Sequence, residues 1–238
     1  MIQLFCFVYR RPDLEPEAFD AHWRERHGPL VAGTADVARH LRRYEQNPRL
    51  ASDRARDPDG ADGVAVLEFE SIAGFQAFFA ESAYRTLIAE DEARFLDRER
   101  FDVVITEPAR TIVDPGPARI EAPIRMLTRL HRRADLEPAQ FHRHWAEEHA
   151  PIVREAMGEH LLGYEQNSRL ASDPTGDDKT CDGIASVWYA SHEGFRAAIG
   201  RGAYRDKIAP DEERFLDRQS MRFVFTSPAR VFIGPQHG

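Results

Sequence analysis

"AHWRERHGPLV", residues 21–31, and "RHWAEEHAPIV", residues 143–153, are two versions of one phrase, His-Trp-x-x-x-His-x-Pro, in a single chain of 238 residues. The likeness spreads outward from it. "DLEPEAFDAHWRERHGPL" from Asp13 aligns with "DLEPAQFHRHWAEEHAPI" from Asp135 at an offset of 122. "HLRRYEQNPRLASD" from His40 aligns with "HLLGYEQNSRLASD" from His160 at an offset of 120, which holds through "AYRTLIAEDEARFLDR" and "AYRDKIAPDEERFLDR". The second copy has therefore lost two residues between Val31 and His40. Self-similarity on this scale means duplicated domains of ~110 residues, not solenoid units. The join lies near "VDPGPARIEAP", residues 113–123, whose prolines and glycine suit a linker. The expected organisation is a first domain at 1–113, a linker at 114–122 and a second domain at 123–238.

Composition narrows the class. Hydrophobic residues make up 42% and charged residues 30%, with a net charge of −8, as in an ordinary globular protein. An acidic chain without a basic face or arm is not expected to bind nucleic acid. No apolar run approaches the length that spans a bilayer, and the positive charges follow the apolar start "MIQLFCFVYRR" instead of preceding it. The expectation is a cytoplasmic protein with no membrane partner. Cys6 and Cys181 occupy non-equivalent places in the repeat, which suits reduced, incidental thiols.

One copy reads as a succession of short elements. Residues 2–9 form a strand, and a helix capped near Asp13 follows, with Pro16 in its first turn. "RRYEQN" is a second strand, residues 51–62 a polar loop, and "GVAVLEFE" a third strand. Helical stretches at 71–81 and 83–96 precede a last strand, "FDVVITEP". The order β-α-β-β-α-β is ferredoxin-like. Such a sheet leaves one face bare and needs a partner. Strand 1 is apolar on both faces, so the expected fold is α+β: two tandem ferredoxin-like repeats packed as an intramolecular dimeric α+β barrel. The chain is then a monomeric pseudo-dimer, with a further homodimer as the alternative.

"YRRPDLEPEAFDAHWRERHGPLV" resembles the opening of the EthD-domain family, a branch of the dimeric α+β barrel superfamily, and the resemblance covers both copies. The second departs from it at Arg133-Ala134-Asp135 and at Ala150, which replaces the glycine of His-Gly-Pro. The resemblance implies cofactor-free handling of small organic molecules, from ether degradation to dehydration or decarboxylation of aromatic polyketides. Relatives in the superfamily include cofactor-free monooxygenases, lactone isomerases and haem enzymes.

The residues themselves point to proton chemistry. His22 and His27 are five apart, roughly 140° on an unbroken helix, so they are not expected to share a face or a metal. Pro29 removes a helical hydrogen bond, and a bend there turns His27 inward; Pro151 does the same for His149. A histidine is the natural proton shuttle near neutral pH. In a pocket between helices and sheet, His27 meets either Tyr44 or Asn47 from strand 2, since an odd step points these two to opposite faces. Tyr44 is preferred as a phenol donor, which makes His27, His149, Tyr44 and Tyr164 the catalytic candidates. The substrate-binding candidates are His22, His144, Trp23, Trp145, Asn47, Asn167 and one face of strand 1, Phe7 and Tyr9. Against that face the second copy sets Arg129 and His131, so two pockets of different character, or one active and one vestigial, are expected. The tryptophans also suit core packing, the tyrosines an inter-sheet hydrogen bond, and the asparagines a turn.

The functional expectation is a cofactor-free enzyme, a lyase or monooxygenase, acting on an aromatic or polyketide-like molecule, with no metal. The alternative is a non-catalytic small-molecule binding or stress-related accessory protein. A haem reading would need an axial histidine. The candidate is His192, which has no counterpart in the first copy, where Ile72 stands.

Overall fold

The computed structural model describes residues 1–122, 124–177, 180–200 and 202–234. The chain forms two compact units. One comprises Met1–Glu107, Asp173–Thr175 and Ala229–Gly238; the other comprises Pro108–Ser172 and Gly176–Pro228. In the first unit the strands are β1 (Ile2–Val8), β2 (Leu41–Pro48), β3 (Gly63–Phe69) and β4 (Asp102–Thr106). Their order across the sheet, β4-β1-β3-β2, is the ferredoxin-like one, and every pairing is antiparallel. The short strand after β4, β5 (Arg110–Val113), belongs to the second unit. That unit repeats the plan with β6 (Ile124–Leu130), β7 (Leu161–Ser168), β8 (Gly183–Tyr189) and β9 (Arg222–Thr226). Among the described residues, no helix is long and apolar enough to cross a membrane.

Each sheet has a fifth strand. β10 (Arg230–Ile233), at the end of the second repeat, pairs with β2, while β5, at the end of the first repeat, pairs with β7. The compact units therefore exchange their last strands relative to the sequence repeats. Both added strands cover an edge that would otherwise expose unpaired backbone groups. The stretch expected as a loop also differs, because Ala51–Arg56 is helical. It is held by Arg49, whose Nε donates to Asp53 at 2.7 Å with both side chains buried. The helix has no apolar periodicity to announce it; a buried ion pair fixes it instead.

β1 is buried on both faces, as an apolar strand of this kind requires. Phe5, Phe7 and Tyr9 are 1%, 2% and 7% exposed, and Leu4, Cys6 and Val8 on the other face are hidden as well. The core between helices and sheet is aromatic. Trp23 lies 5.6 Å from Phe19, which lies 5.6 Å from Phe95. Trp145, Phe141 and Phe215 repeat the arrangement. Each indole packs against a strand glycine: a Cβ at Gly183 would come 2.7 Å from Trp145, and one at Gly63 would strike Trp23 in the same way.

The Gly28/Ala150 difference has a packing cause. A Cβ at Gly28 would collide with the ring of Phe232 on β10, which is itself stacked 5.5 Å from Tyr44. In the second unit the position equivalent to Phe232 is Ile112 on β5, and Ala150 replaces the glycine. Glycine with phenylalanine and alanine with isoleucine are two ways of filling one gap. Gly28→Ala is expected to destabilise the fold by about 1–3 kcal/mol through overpacking. Adding Phe232→Ile should restore most of the loss. Urea denaturation of the single and double variants measures both effects, and a double variant no better than the single would refute the pairing.

Candidate functional site

The helix that carries the repeated phrase is not a regular α-helix. Pro16–His22 is α-helical, but the next turn, Trp23–His27, is wide: the Gly28 amide donates to the Trp23 carbonyl, five residues back. In the second unit Ala150 donates to Trp145 in the same way. The turn widens where Pro29 and Pro151 withhold an amide, so the change of bonding pattern is least costly there. The backbone keeps helical angles through His27 and Gly28, so no bend turns His27 inward, as was expected of Pro29. The extra residue in the turn does so instead.

It also brings the two histidines onto one face. His22 Nε2 lies 2.9 Å from Asp91 Oδ1, and His27 Nδ1 lies 3.0 Å from Asp91 Oδ2. In the second unit Asp211 bridges His144 Nε2 and His149 Nδ1, each at 2.9 Å. The expectation that histidines five apart face different ways is thus corrected. The aspartates lie on Ala89–Phe95 and Ala209–Phe215, each preceded by its own wide turn, Tyr84–Ile88 and Tyr204–Ile208. The rings of His22 and His27 lie 4.8 and 5.0 Å from Phe95, and those of His144 and His149 lie 4.7 and 4.9 Å from Phe215. Burial opposes the charge on Asp91, but hydrogen bonds from His27 and His22 outweigh it and hold the carboxyl below its usual range. Burial lowers the pKa of His149 from its usual 6.5, against the opposing pull of Asp211.

Both units place a cavity between helices and sheet. The first is about 60 Å³ and is lined by Trp23, His27, Tyr44, Tyr84 and Glu92 among others. The second is about 280 Å³, with Trp145, His149, Tyr164, Tyr204 and Glu212 in the corresponding places. Sequence reasoning missed the second tyrosine and the glutamate of each set, and the bridging aspartate as well. Their signal was present, since Tyr84, Asp91 and Glu92 recur as Tyr204, Asp211 and Glu212, but they sat in segments that read as charged helix.

The two acids are unusual. Tyr204 donates to Glu212 Oε2 at 2.8 Å, and Tyr84 donates to Glu92 at 3.2 Å. Burial pushes both carboxyls above the usual carboxylate range. Tyr164 accepts from Trp145 Nε1 at 3.1 Å and from Gln166 Nε2 at 3.0 Å. With those lone pairs engaged, its own O–H is left to donate. Burial raises its pKa to about 12, so it stays protonated.

Several candidates lie elsewhere. Cavity walls on the first strand of each unit come from Leu4, Cys6 and Val8 and from Met126, Thr128 and Leu130, not from Phe7 and Tyr9 or Arg129 and His131. A strand apolar on both faces gives no sequence signal for which face meets the helices, and the face that does is the opposite of the expected one. The second cavity is accordingly apolar, not cationic. Asn47 and Asn167 donate to the backbone carbonyls of Val64 and Ile184 and take no part in the cavities. His22 and His144 reach the site only through the aspartates. His192 packs against Phe225 and does not line the cavity. The second cavity is also smaller than pockets that enclose drug-sized ligands, and a haem exceeds those. The residues present therefore do not fit that group. His144, Glu148 and Asp211 could each offer a metal one ligand atom, these atoms lying within 4.8 Å of one another. The Arg214 guanidinium already lies 3.4 Å from both carboxylates, which supplies the positive charge. Cys6 and Cys181 are free and buried, and burial raises both thiols, so neither is an activated nucleophile.

The sequence pattern of the EthD domain matches residues 11–99 and again 133–219. The chain belongs to the EthD-domain family. No curated protein matches the sequence. The fold recurs among solved structures. An anthrone oxidase-like protein is similar over 99% of this chain and 96% of its own, with a TM-score of 0.61 and 9% identity. Chlorite dismutase from Candidatus Nitrospira defluvii, in complex with imidazole, is similar over 95% and 91%, with a TM-score of 0.53 and 13% identity. At these identities the likeness is one of fold.

The pH dependence of stability tests the state of Glu212. With its pKa raised by folding, the native state keeps a proton that the unfolded chain releases above about 4.5. That contribution is full at low pH and is lost as pH rises through the folded value. Glu212→Gln has no such loss. Its stability relative to wild type is therefore expected to climb as pH rises above about 4.5, in urea titrations from about pH 4 to about pH 8. A difference that stays flat would mean that Glu212 ionises normally.

Proposed function

We propose that this EthD-domain protein is an enzyme that acts on a small aromatic or polyketide-like molecule in the cavity of the second unit. The protein itself supplies proton transfer, with His149 as general base. The observation that carries this is the pairing of His149 Nδ1 with Asp211 at 2.9 Å in the wall of a cavity of about 280 Å³. A carboxylate accepts, so Nδ1 carries the proton and Nε2 keeps its lone pair. Burial favours the neutral ring, so the base is unprotonated near neutral pH. When Nε2 takes a proton, Asp211 stabilises the imidazolium.

The remaining groups suit an enolisable substrate. Tyr164 O–H is a hydrogen-bond donor in an apolar enclosure, suited to a carbonyl oxygen that gains negative charge as a neighbouring C–H is deprotonated. Glu212, whose carboxyl burial pushes above its usual range, lines the same cavity as a second proton carrier. Enolisation of a phenolic ketone or β-keto compound is a common first step toward dehydration, decarboxylation or reaction with oxygen, so one site accommodates all three outcomes. The family membership and the shared fold with an anthrone oxidase-like protein support the substrate class. A binding role without turnover would need the apolar walls but not the oriented histidine.

Exchange of the acidic C–H protons of anthrone in heavy water, followed by proton NMR, reads the base step without presuming the later chemistry. Wild type is expected to accelerate exchange. His149→Ala is expected to lose about 10²–10⁴-fold of that rate, the usual range for a general base. Asp211→Asn should lose part of it and move the lower limb of the pH–rate profile to lower pH, because Asp211 pulls the His149 pKa upward. No exchange above buffer by the wild-type chain would sink the proposal, and a His149→Ala variant as fast as wild type would remove the base.

A further inference from the structure

The two cavities differ in size far more than in chemistry. Each has the same five polar or aromatic groups, His27, Tyr44, Tyr84, Glu92 and Trp23 in one and their counterparts in the other, and each histidine has its aspartate. Yet the first holds only about 60 Å³. The second, at about 280 Å³, approaches the lower end of ligand pockets.

The difference traces to one helix. Ile72–Ala80 carries Phe78 and Phe79 where the equivalent His192–Gly200 carries Ala198 and Ile199. Phe78 is 2% exposed and lies 5.5 Å from Phe69 and 5.3 Å from Tyr84. Phe79 lies 4.7 Å from Tyr84. In the second unit the counterpart of the Phe69–Phe75 pair, Tyr189 and Phe195, becomes cavity wall, whereas Phe69 and Phe75 are not part of the first cavity's lining. The space beside that pair is where the Phe78 ring lies in the first unit and where Ala198 leaves room in the second. Exchanges such as Leu67 to Val187 or Cys6 to Thr128 change little volume, and the larger one, Val103 to Phe223, adds bulk to the second cavity instead of opening it.

We infer that the first unit holds a complete but closed copy of the site, plugged by its own Phe78 and Phe79, so that the chain takes one small aromatic ligand, in the second unit. This rests on the reading of the second cavity as the substrate site. Ala198 and Ile199 are then specificity-determining positions, because a ring returned there would fill the pocket.

Calorimetric titration with 2-naphthol counts the sites. Wild type is expected to bind one equivalent. Phe78→Ala/Phe79→Ile, which copies the second unit, is expected to bind two, and Ala198→Phe/Ile199→Phe none. A wild-type chain that binds two equivalents or none overturns the inference, as does a folded opened variant that still binds one. Should the opened variant fail to fold, the wild-type chain decides through its ¹⁵N imidazole resonances: 2-naphthol is expected to move the His149 signals and leave those of His27 in place, and movement of both overturns the plug. None of these readouts involves turnover. A chain that binds one and then two equivalents but exchanges no protons keeps this inference and loses the enzyme. A catalytically active wild type that binds two does the reverse.

Discussion

Two histidines five residues apart cannot share a carboxylate on a regular α-helix. They do so in each repeat because the helix takes one residue more in the turn between them. The organisation of the site follows from that widening. It aims His27 and His149 between helix and sheet, into the cavity walls, and engages one ring nitrogen of each with Asp91 or Asp211. The outer histidine of each pair holds the second carboxylate oxygen, which stops the aspartate from rotating. The partner helix uses the same device, with Ala89 and Ala209 bonded five residues back to Tyr84 and Tyr204, and so brings a tyrosine and a glutamate to the same cavity.

The apolar walls set the protonation states. Burial raises the Glu212 carboxyl and lowers the His149 imidazole, so both favour their uncharged forms in one enclosure. Shifts in these directions work against an ion pair between the two groups. Asp211, on Nδ1 of the histidine, is not part of the cavity wall, and the Arg218 guanidinium lies 3.4 Å from Glu212.

Much of this was legible in the sequence, and the reasons differ by element. The repeat was visible because "YEQN" and "RFLDR" survive unchanged in both copies, and the ferredoxin-like order followed from short β-rich runs alternating with helical spacing. His27, Tyr44 and Trp23 and their counterparts stood out because they recur, and the structure gathers each trio at a cavity. The wide turns were hidden, for nothing in "WRERH" distinguishes five-residue from four-residue bonding except the proline that follows. Asp91 and Asp211 were hidden by neighbouring acids in "EDEAR" and "PDEER". The cavity face of β1 was undecidable from a strand apolar on both sides. β5 and β10 were out of reach for another reason. At four residues they are short for strands, and each pairs with a strand in the other repeat, a contact that no local window contains.

That exchange of edge strands bears on how the two halves can change. β10 completes the sheet around Tyr44, and β5 completes the one around Tyr164. Neither half owns all of its own sheet, so neither can be shed without opening the other. A duplicated gene usually frees its spare copy to decay or to be deleted. Here the copy with the small cavity remains indispensable as architecture whatever becomes of its chemistry. Its interior is free to fill with phenylalanine while its frame stays fixed.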